Sequence, residues 1–197
     1  MKKVIVTIGR EFGSGGREIG IKLSEKLGIP FYDKELILHT AEKINLEESI
    51  VEKYDEQHSF PAFSSSNIFD IYQMPMSDRI YIAQADVIRD IAEKGSCIIV
   101  GRCADFVLDS NPDVFKVFIS APMKDKIERK RHILPDKSEN ELKNHIAKID
   151  KKRAKYYTYY TDRTWGKATT YNICIDSSLL GIDGTVELIA NAISMRK

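Results

Sequence analysis

The sequence predicts an α/β domain built on a five-stranded, mainly parallel sheet flanked by helices. Two patterns carry this reading. Short apolar, β-branched runs recur at residues 4–8, 29–32, 97–100, 114–119 and 172–175, and segments of helical period separate them. The apolar residues of each run are continuous rather than alternating, as in strands buried on both faces. A third observation is the glycine-rich stretch that follows the first run directly.

In chain order, the first helix is expected to begin near Gly16, because Ile19, Leu23 and Leu27 recur every four residues and Gly28 supplies the stop. Gly20 shares that face and permits close approach to the sheet. Residues 33–57 read as two helices, after which 58–67 (His-Ser-Phe-Pro-Ala-Phe-Ser-Ser-Ser-Asn) breaks the period and reads as a loop or flap. Ser77 is expected to cap a longer helix with the apolar stripe Ile80, Ala83, Val87 and Ile91, ending at Gly95. The charged run 124–131 and a helix carrying Leu142, Ile146 and Ile149 into Arg153 form a helix-turn-helix arm off the sheet. Tyr156, Tyr157, Tyr159 and Tyr160 read as packing of that helix against the sheet in preference to a base-stacking platform.

A chain of 197 residues with 43% hydrophobic content closes one domain rather than two. Its 30 basic and 29 acidic residues nearly cancel, which argues against a nucleic-acid polymer as partner and makes any anion site local. The opening apolar run is too short for a secretion signal or a membrane span, so a cytoplasmic location without membrane attachment is expected. Cys97, Cys103 and Cys174 have neither zinc-site spacing nor an even disulfide set, and read as reduced thiols.

The stretch Gly9-Arg10-Glu11-Phe12-Gly13-Ser14-Gly15-Gly16-Arg17-Glu18 lies where a phosphate cradle must lie. Glycines let the backbone curl around an oxyanion, and the unbonded amides of a helix start point at it with the positive end of the dipole. The usual spacing of glycine, four residues, glycine, lysine and a hydroxyl residue is not met. If Gly15 is the last glycine, Gly16 stands where the lysine belongs. If Gly16 is the last, Arg17 takes the lysine's place and Glu18 the hydroxyl's, which is preferred chemically because an arginine supplies charge over the β and γ phosphates. Ser14 and Glu18 are the candidate magnesium ligands, and Glu18 also suits the helix dipole.

These residues, together with Ile29-Pro30-Phe31-Tyr32-Asp33-Lys34-Glu35-Leu36-Ile37, resemble the cytidylate kinase-like family. The resemblance continues through Val100-Gly101-Arg102, residues 153–160, Trp165-Gly166 and Asp176-Ser177-Ser178. It implies a P-loop fold related to nucleoside monophosphate kinases, with an acceptor-binding insertion at 33–76 and a lid arm at 124–160. It also implies ATP with Mg2+ as donor and a cytidylate-type acceptor. Residue by residue, Gly13, Ser14, Gly15 and Gly16 match the phosphate loop, Asp33 the acidic residue after the second strand, and Arg102 the arginine after the central strand. Arg153 falls near the lid arginine, and His39 stands where cytidylate kinases carry an arginine.

The expected activity is therefore transfer of the terminal phosphoryl group of ATP to a small acceptor. Arg17 and the loop amides would hold the donor, Arg102 the acceptor phosphate, and Arg153 with Arg129 or Arg131 the moving group on closure. Asp33 is expected to position the acceptor. Two alternatives stand beside a cytidylate acceptor: a different small alcohol or phosphate, and a nucleotide-responsive protein without turnover.

Overall fold

The computed structural model describes residues 3–33, 35–54 and 74–196. In chain order they form β1 (Ile5–Arg10), α1 (Gly16–Leu27), β2 (Phe31–Tyr32), α2 (Glu35–Ile44), α3 (Glu48–Tyr54), α4 (Met76–Lys94), β3 (Cys97–Val100), α5 (Ala104–Val107), β4 (Val114–Ser120), α6 (Met123–Arg131), α7 (Glu139–Thr161), β5 (Ile173–Asp176) and α8 (Ser177–Ser194). The five strands lie in the order β2-β3-β1-β4-β5, every pair parallel. The α/β architecture and all five strands are those the apolar runs predict.

Burial on both faces explains why those runs do not alternate. Val4, Val6 and Ile8 pack toward Ile19 and Leu23 of α1 and Val186 and Ile189 of α8. From the other face Ile5 meets Val87, Ile88 and Ile91 of α4. β1 is therefore central in the sheet and sandwiched between helices, and its carboxyl end at Arg10 is held from every side. In such open parallel sheets ligands gather beyond the carboxyl ends of the strands.

The packing of α1 rests on Gly20. A Cβ there would sit 2.8 Å from Phe31 Cε2, and 3.3 Å from both Ile8 Cδ1 and Val100 Cγ2, so the helix lies on the sheet without a side chain between them. The helix stops at Gly28 (φ 64°), as expected.

Two local readings change. Ser77 is not the cap of α4: Pro75 holds that place, its carbonyl accepts from the amides of Asp78 and Arg79, and Ser77 is buried inside the first turn. Proline has no side-chain acceptor to offer the first amides, so this helix starts without a side-chain cap. The segment 58–67, read as a flap, lies outside the described residues, as does much of 33–76 beyond α2 and α3.

The arm at 124–160 is two antiparallel helices with a core of their own. Ile127, Leu142 and Ile146 bury one another, with Phe12, Met123 and Leu134 packed around them. α7 begins with a capping box, in which the Ser138 hydroxyl accepts from the Glu141 amide and the Glu141 carboxylate accepts from the Ser138 amide. At 23 residues the helix is about 35 Å long and serves two regions. Its first half closes the arm, while Tyr156 and Tyr157 near its end are buried with Cys103 against the main body. Among the described residues no helix is long and apolar enough to cross a membrane.

The close approach at Gly20 makes a direct prediction. Gly20→Val should destabilise the protein by about 1–3 kcal/mol through overpacking, read as a lowered urea midpoint. An unchanged midpoint would show that α1 can lift from the sheet freely.

Candidate active site

Between β1 and α1 the chain makes a tight turn over residues 11–15. Gly15 has φ 82°, a left-handed conformation that a side chain disfavours, and it caps α1. The first helical bond runs from the Ile19 amide to the Gly15 carbonyl, so the amides of residues 16–18 precede the helical ladder. Such unladdered amides at a helix start favour an anion.

The turn is held from beneath by side chains. The Ser14 hydroxyl donates to the Glu11 carbonyl at 2.9 Å, and the Ser177 hydroxyl donates to the Ser14 carbonyl at 2.6 Å. The Glu11 carboxylate accepts from the Ala121 amide and pairs with Lys126 at 2.6 Å. Lys126 also pairs with Asp150 at 3.1 Å, and Asp150 accepts from the Phe12 amide at 2.7 Å. The Lys126 residue is only 4% exposed. This bridge of two carboxylates and one ammonium joins the turn after β1 to α6 and α7, and it fixes the arm onto the turn.

Above the turn opens a cleft of about 560 Å³, lined on one side by loop and α1 residues and on the other by Arg129, Lys130 and Arg153. Arg129 Nη1 donates to the Gly13 carbonyl at 2.6 Å, and Arg153 Nη1 to the Arg10 carbonyl at 3.3 Å. Lys130 lies over the Phe12 ring at 4.3 Å. Burial, then the like charges of Arg153 and Arg129, push the Lys130 ammonium below its ordinary pKa. Three cations on one side of the cleft, one of them partly desolvated, describe a place suited to an anion.

On the floor of the cleft Asp33 is buried. Arg17 Nε donates to it at 2.7 Å while stacking over Phe31, and Arg10 Nη2 lies 3.9 Å away. Behind the cleft is a small cavity of about 30 Å³, where Arg10, Arg102 and Arg153 meet Asp105, Tyr157 and Tyr171. Gly101, Arg102 and Cys103 are left-handed in succession, with φ of 79°, 54° and 54°. For two residues with side chains this is a strained run, of the kind that persists where surrounding contacts over-determine it. The Tyr157 hydroxyl donates to Asp105 at 2.6 Å. Burial raises the Asp105 pKa despite that bond.

The structure thus brings together Gly13, Gly15, Gly16, Arg17, Glu18, Asp33, Arg129 and Arg153 around one cleft, with Arg102 just behind it. Three expected residues are elsewhere. Ser14 is fully buried with its hydroxyl given to a carbonyl, so it shapes the turn instead of meeting a metal. Arg131 pairs with Glu139 on the exposed side of the arm, because it lies half a helical turn away from Arg129. His39 lies in a separate surface groove with Glu42, Lys43 and Asp90. Among the described residues no cluster of three His, Cys, Asp or Glu side chains could hold a metal ion. Ser14 is buried, and Glu18 stands at the exposed rim of the cleft beside Lys22, so the ion is treated below as part of the nucleotide substrate.

Sequence reasoning missed Arg10, Lys126, Lys130 and Asp150. Arg10 carried a signal, since it stands five residues before Gly15. The bridge carried none, since its members are 24 to 139 residues apart.

A parallel sheet in this order, with a glycine turn leading from the central strand into an anion-binding helix and cations above it, defines a P-loop kinase-class protein. The chain belongs to the cytidylate kinase-like family, whose model matches residues 5–179. An uncharacterized protein from Eubacterium ventriosum has a similar crystal structure, with 31% identity, 98% of this chain and 100% of that one covered, and a TM-score of 0.75. Shikimate kinase from Bacteroides thetaiotaomicron shares the fold at 17% identity, with 98% and 99% covered and a TM-score of 0.58. Shikimate kinase from Acinetobacter baumannii, in complex with shikimate, does so at 13% identity, with 97% and 92% covered and a TM-score of 0.54. No match was found among curated proteins.

Two outcomes test the site's supports. Lys126→Met leaves two half-buried carboxylates without their cation and should cost about 1–3 kcal/mol, measured by chemical denaturation. For Asp105 the folded state keeps its proton to higher pH than the unfolded chain, whose carboxyl titrates near 3.8. Ionisation therefore costs stability as pH rises above that value. Asp105→Asn removes the cost, so the stability of the variant relative to the parent should increase from pH 4 to pH 7. A flat difference across that range would show that Asp105 is not held protonated.

Proposed function

We propose that the protein is a phosphotransferase that moves the γ-phosphoryl group of ATP to a small acceptor, a nucleoside monophosphate of cytidylate type. The observation that carries this reading is the crowding of Arg129, Lys130 and Arg153 over a glycine turn whose amides point the same way. Family membership supports the cytidylate-type acceptor.

In the reaction an oxygen of the acceptor's phosphate forms a bond to the γ-phosphorus. The bond from that phosphorus to the β,γ-bridging oxygen breaks, and its electron pair leaves with ADP. The transition state spreads negative charge over the transferring oxygens, so the protein's work is alignment and charge neutralisation. Amides of residues 16–18 hold the donor phosphates. Arg129 and Arg153 flank the moving group from the arm, and the arm's cover excludes water. Arg102, behind the cleft, steadies the acceptor phosphate, and Asp33, braced by Arg17, orients the acceptor's polar groups. An acceptor phosphate is already ionised, so no general base is required.

A second reading has support of its own: the acceptor is a different small alcohol or phosphate. His39, which stands where cytidylate kinases carry an arginine, faces a surface groove away from Asp33 and Arg102. ADP formation from magnesium-ATP, followed across a panel that includes CMP and dCMP, separates the readings. Selective turnover with CMP or dCMP supports the first, and selective turnover of another acceptor the second. Tight ATP binding with no acceptor-dependent turnover would leave a nucleotide-responsive binding protein. Arg153→Ala should lower the turnover rate by about 10²-fold, and a rate within twofold of the parent would remove Arg153 from the mechanism.

A further inference from the structure

The motif that places a lysine over the donor phosphates is missing its lysine here, and the turn's geometry shows where the charge has gone. Gly15 is the left-handed residue that ends the loop and caps α1. Counted from it, Gly16 occupies the lysine's position, Arg17 the hydroxyl's, and Arg10, five residues earlier, the position of the motif's first glycine. Glycine and cation have exchanged ends of the loop.

The exchange is also physical. A Cβ on Gly16 would lie 2.5 Å from Arg10 Cβ and 3.1 Å from its Cγ, so the Arg10 stem fills the space a lysine stem would use on leaving the helix. The guanidinium continues across Gly101, where any side chain would run into it, and ends beside Asp33. It borders both the open cleft and the inner cavity that contains Arg102. Its side chain is 11% exposed, whereas that of Arg17 is 53% exposed and spends its Nε on Asp33.

We propose that Arg10 is the phosphoryl-contacting cation of this loop, reaching over Gly16 to the group in transit, while Arg17 is a positioning residue that braces Asp33. This inference rests on the phosphotransferase reading above. Arg10 comes from the last residue of the central strand, so its origin is fixed by the sheet, and its low exposure keeps its charge poorly screened by water. An arginine entering from the strand spans the boundary between donor and acceptor sides. A lysine on the helix would approach from the donor side.

The test is a set of variants whose affinities for magnesium-ATP and magnesium-ADP are measured by calorimetry, alongside turnover. Arg10→Met keeps the stem over Gly16 and removes the charge. It should lose at least tenfold of the preference for ATP over ADP and about 10²-fold in rate, while melting as the parent does. Gly16→Lys alone should melt lower and bind ATP more weakly, because its stem meets that of Arg10. The double variant Arg10→Ala with Gly16→Lys returns the cation to its usual end, and should regain at least tenfold of the ATP preference relative to Arg10→Ala alone. A parent-like ATP preference in Arg10→Met, or a double variant no better than Arg10→Ala, overturns the exchange. Failure of the parent protein to bind magnesium-ATP at all overturns the phosphotransferase reading instead.

Discussion

Lys126 is a buried ammonium between Glu11 and Asp150, and the geometry of the site depends on it. Glu11 belongs to the turn after β1, Lys126 to α6 and Asp150 to the middle of α7. A single cation therefore sets the distance between the phosphate loop and the arm above it. The same carboxylates accept the amides of Phe12 and Ala121, so backbone donors complete the bridge. Such a bridge adds little over an apolar filling of equal volume, but losing a carboxylate leaves the buried ammonium of Lys126 short of a counter-charge. What it secures is registry.

With the arm fixed, the remaining cations cannot relax away from each other. Arg129 and Arg153 hold loop carbonyls, and Lys130 is left over the Phe12 ring with two guanidiniums beside it. Repulsion among these cations is the cost of a field that a polyphosphate would neutralise. Phe12 contributes twice, since its ring also meets His145 edge to face at 5.6 Å and joins the arm's own core. The loop and the arm are thus one packed unit.

The Asp33 side of the cleft is built differently. Asp33 has two arginines in reach, and the strained run Gly101 to Cys103 turns the chain just beyond β3. Behind it, Tyr157 and Asp105 share a short buried hydrogen bond, and desolvation raises the pKa of each. The aromatic face of α7 holds this region through packing: Tyr81 stacks on Tyr160 at 3.9 Å, and the Tyr160 hydroxyl donates to Asp78. One helix therefore connects the arm, whose arginine reaches the loop, with the cavity behind Asp33.

Apart from α5 and α8, the sequence by itself determined the sheet, the helices α1 to α4 and those of the arm, and the place of the phosphate loop. Each of these follows from local regularities: apolar runs buried on two faces, a four-residue helical stripe ending at Gly28, and glycines between the first strand and helix. Arg102, Arg153, Arg129 and Asp33 were also legible, because motif positions put them at strand ends or on the arm. Only the tertiary structure decided which way side chains turned. It buried Ser14, sent Arg131 and His39 to other surfaces, tied Arg17 to Asp33, and laid Arg10 across Gly16. These outcomes depend on groups far apart in the chain competing for the same few ångströms of space and the same counter-charges, and no spacing along the chain encodes who wins.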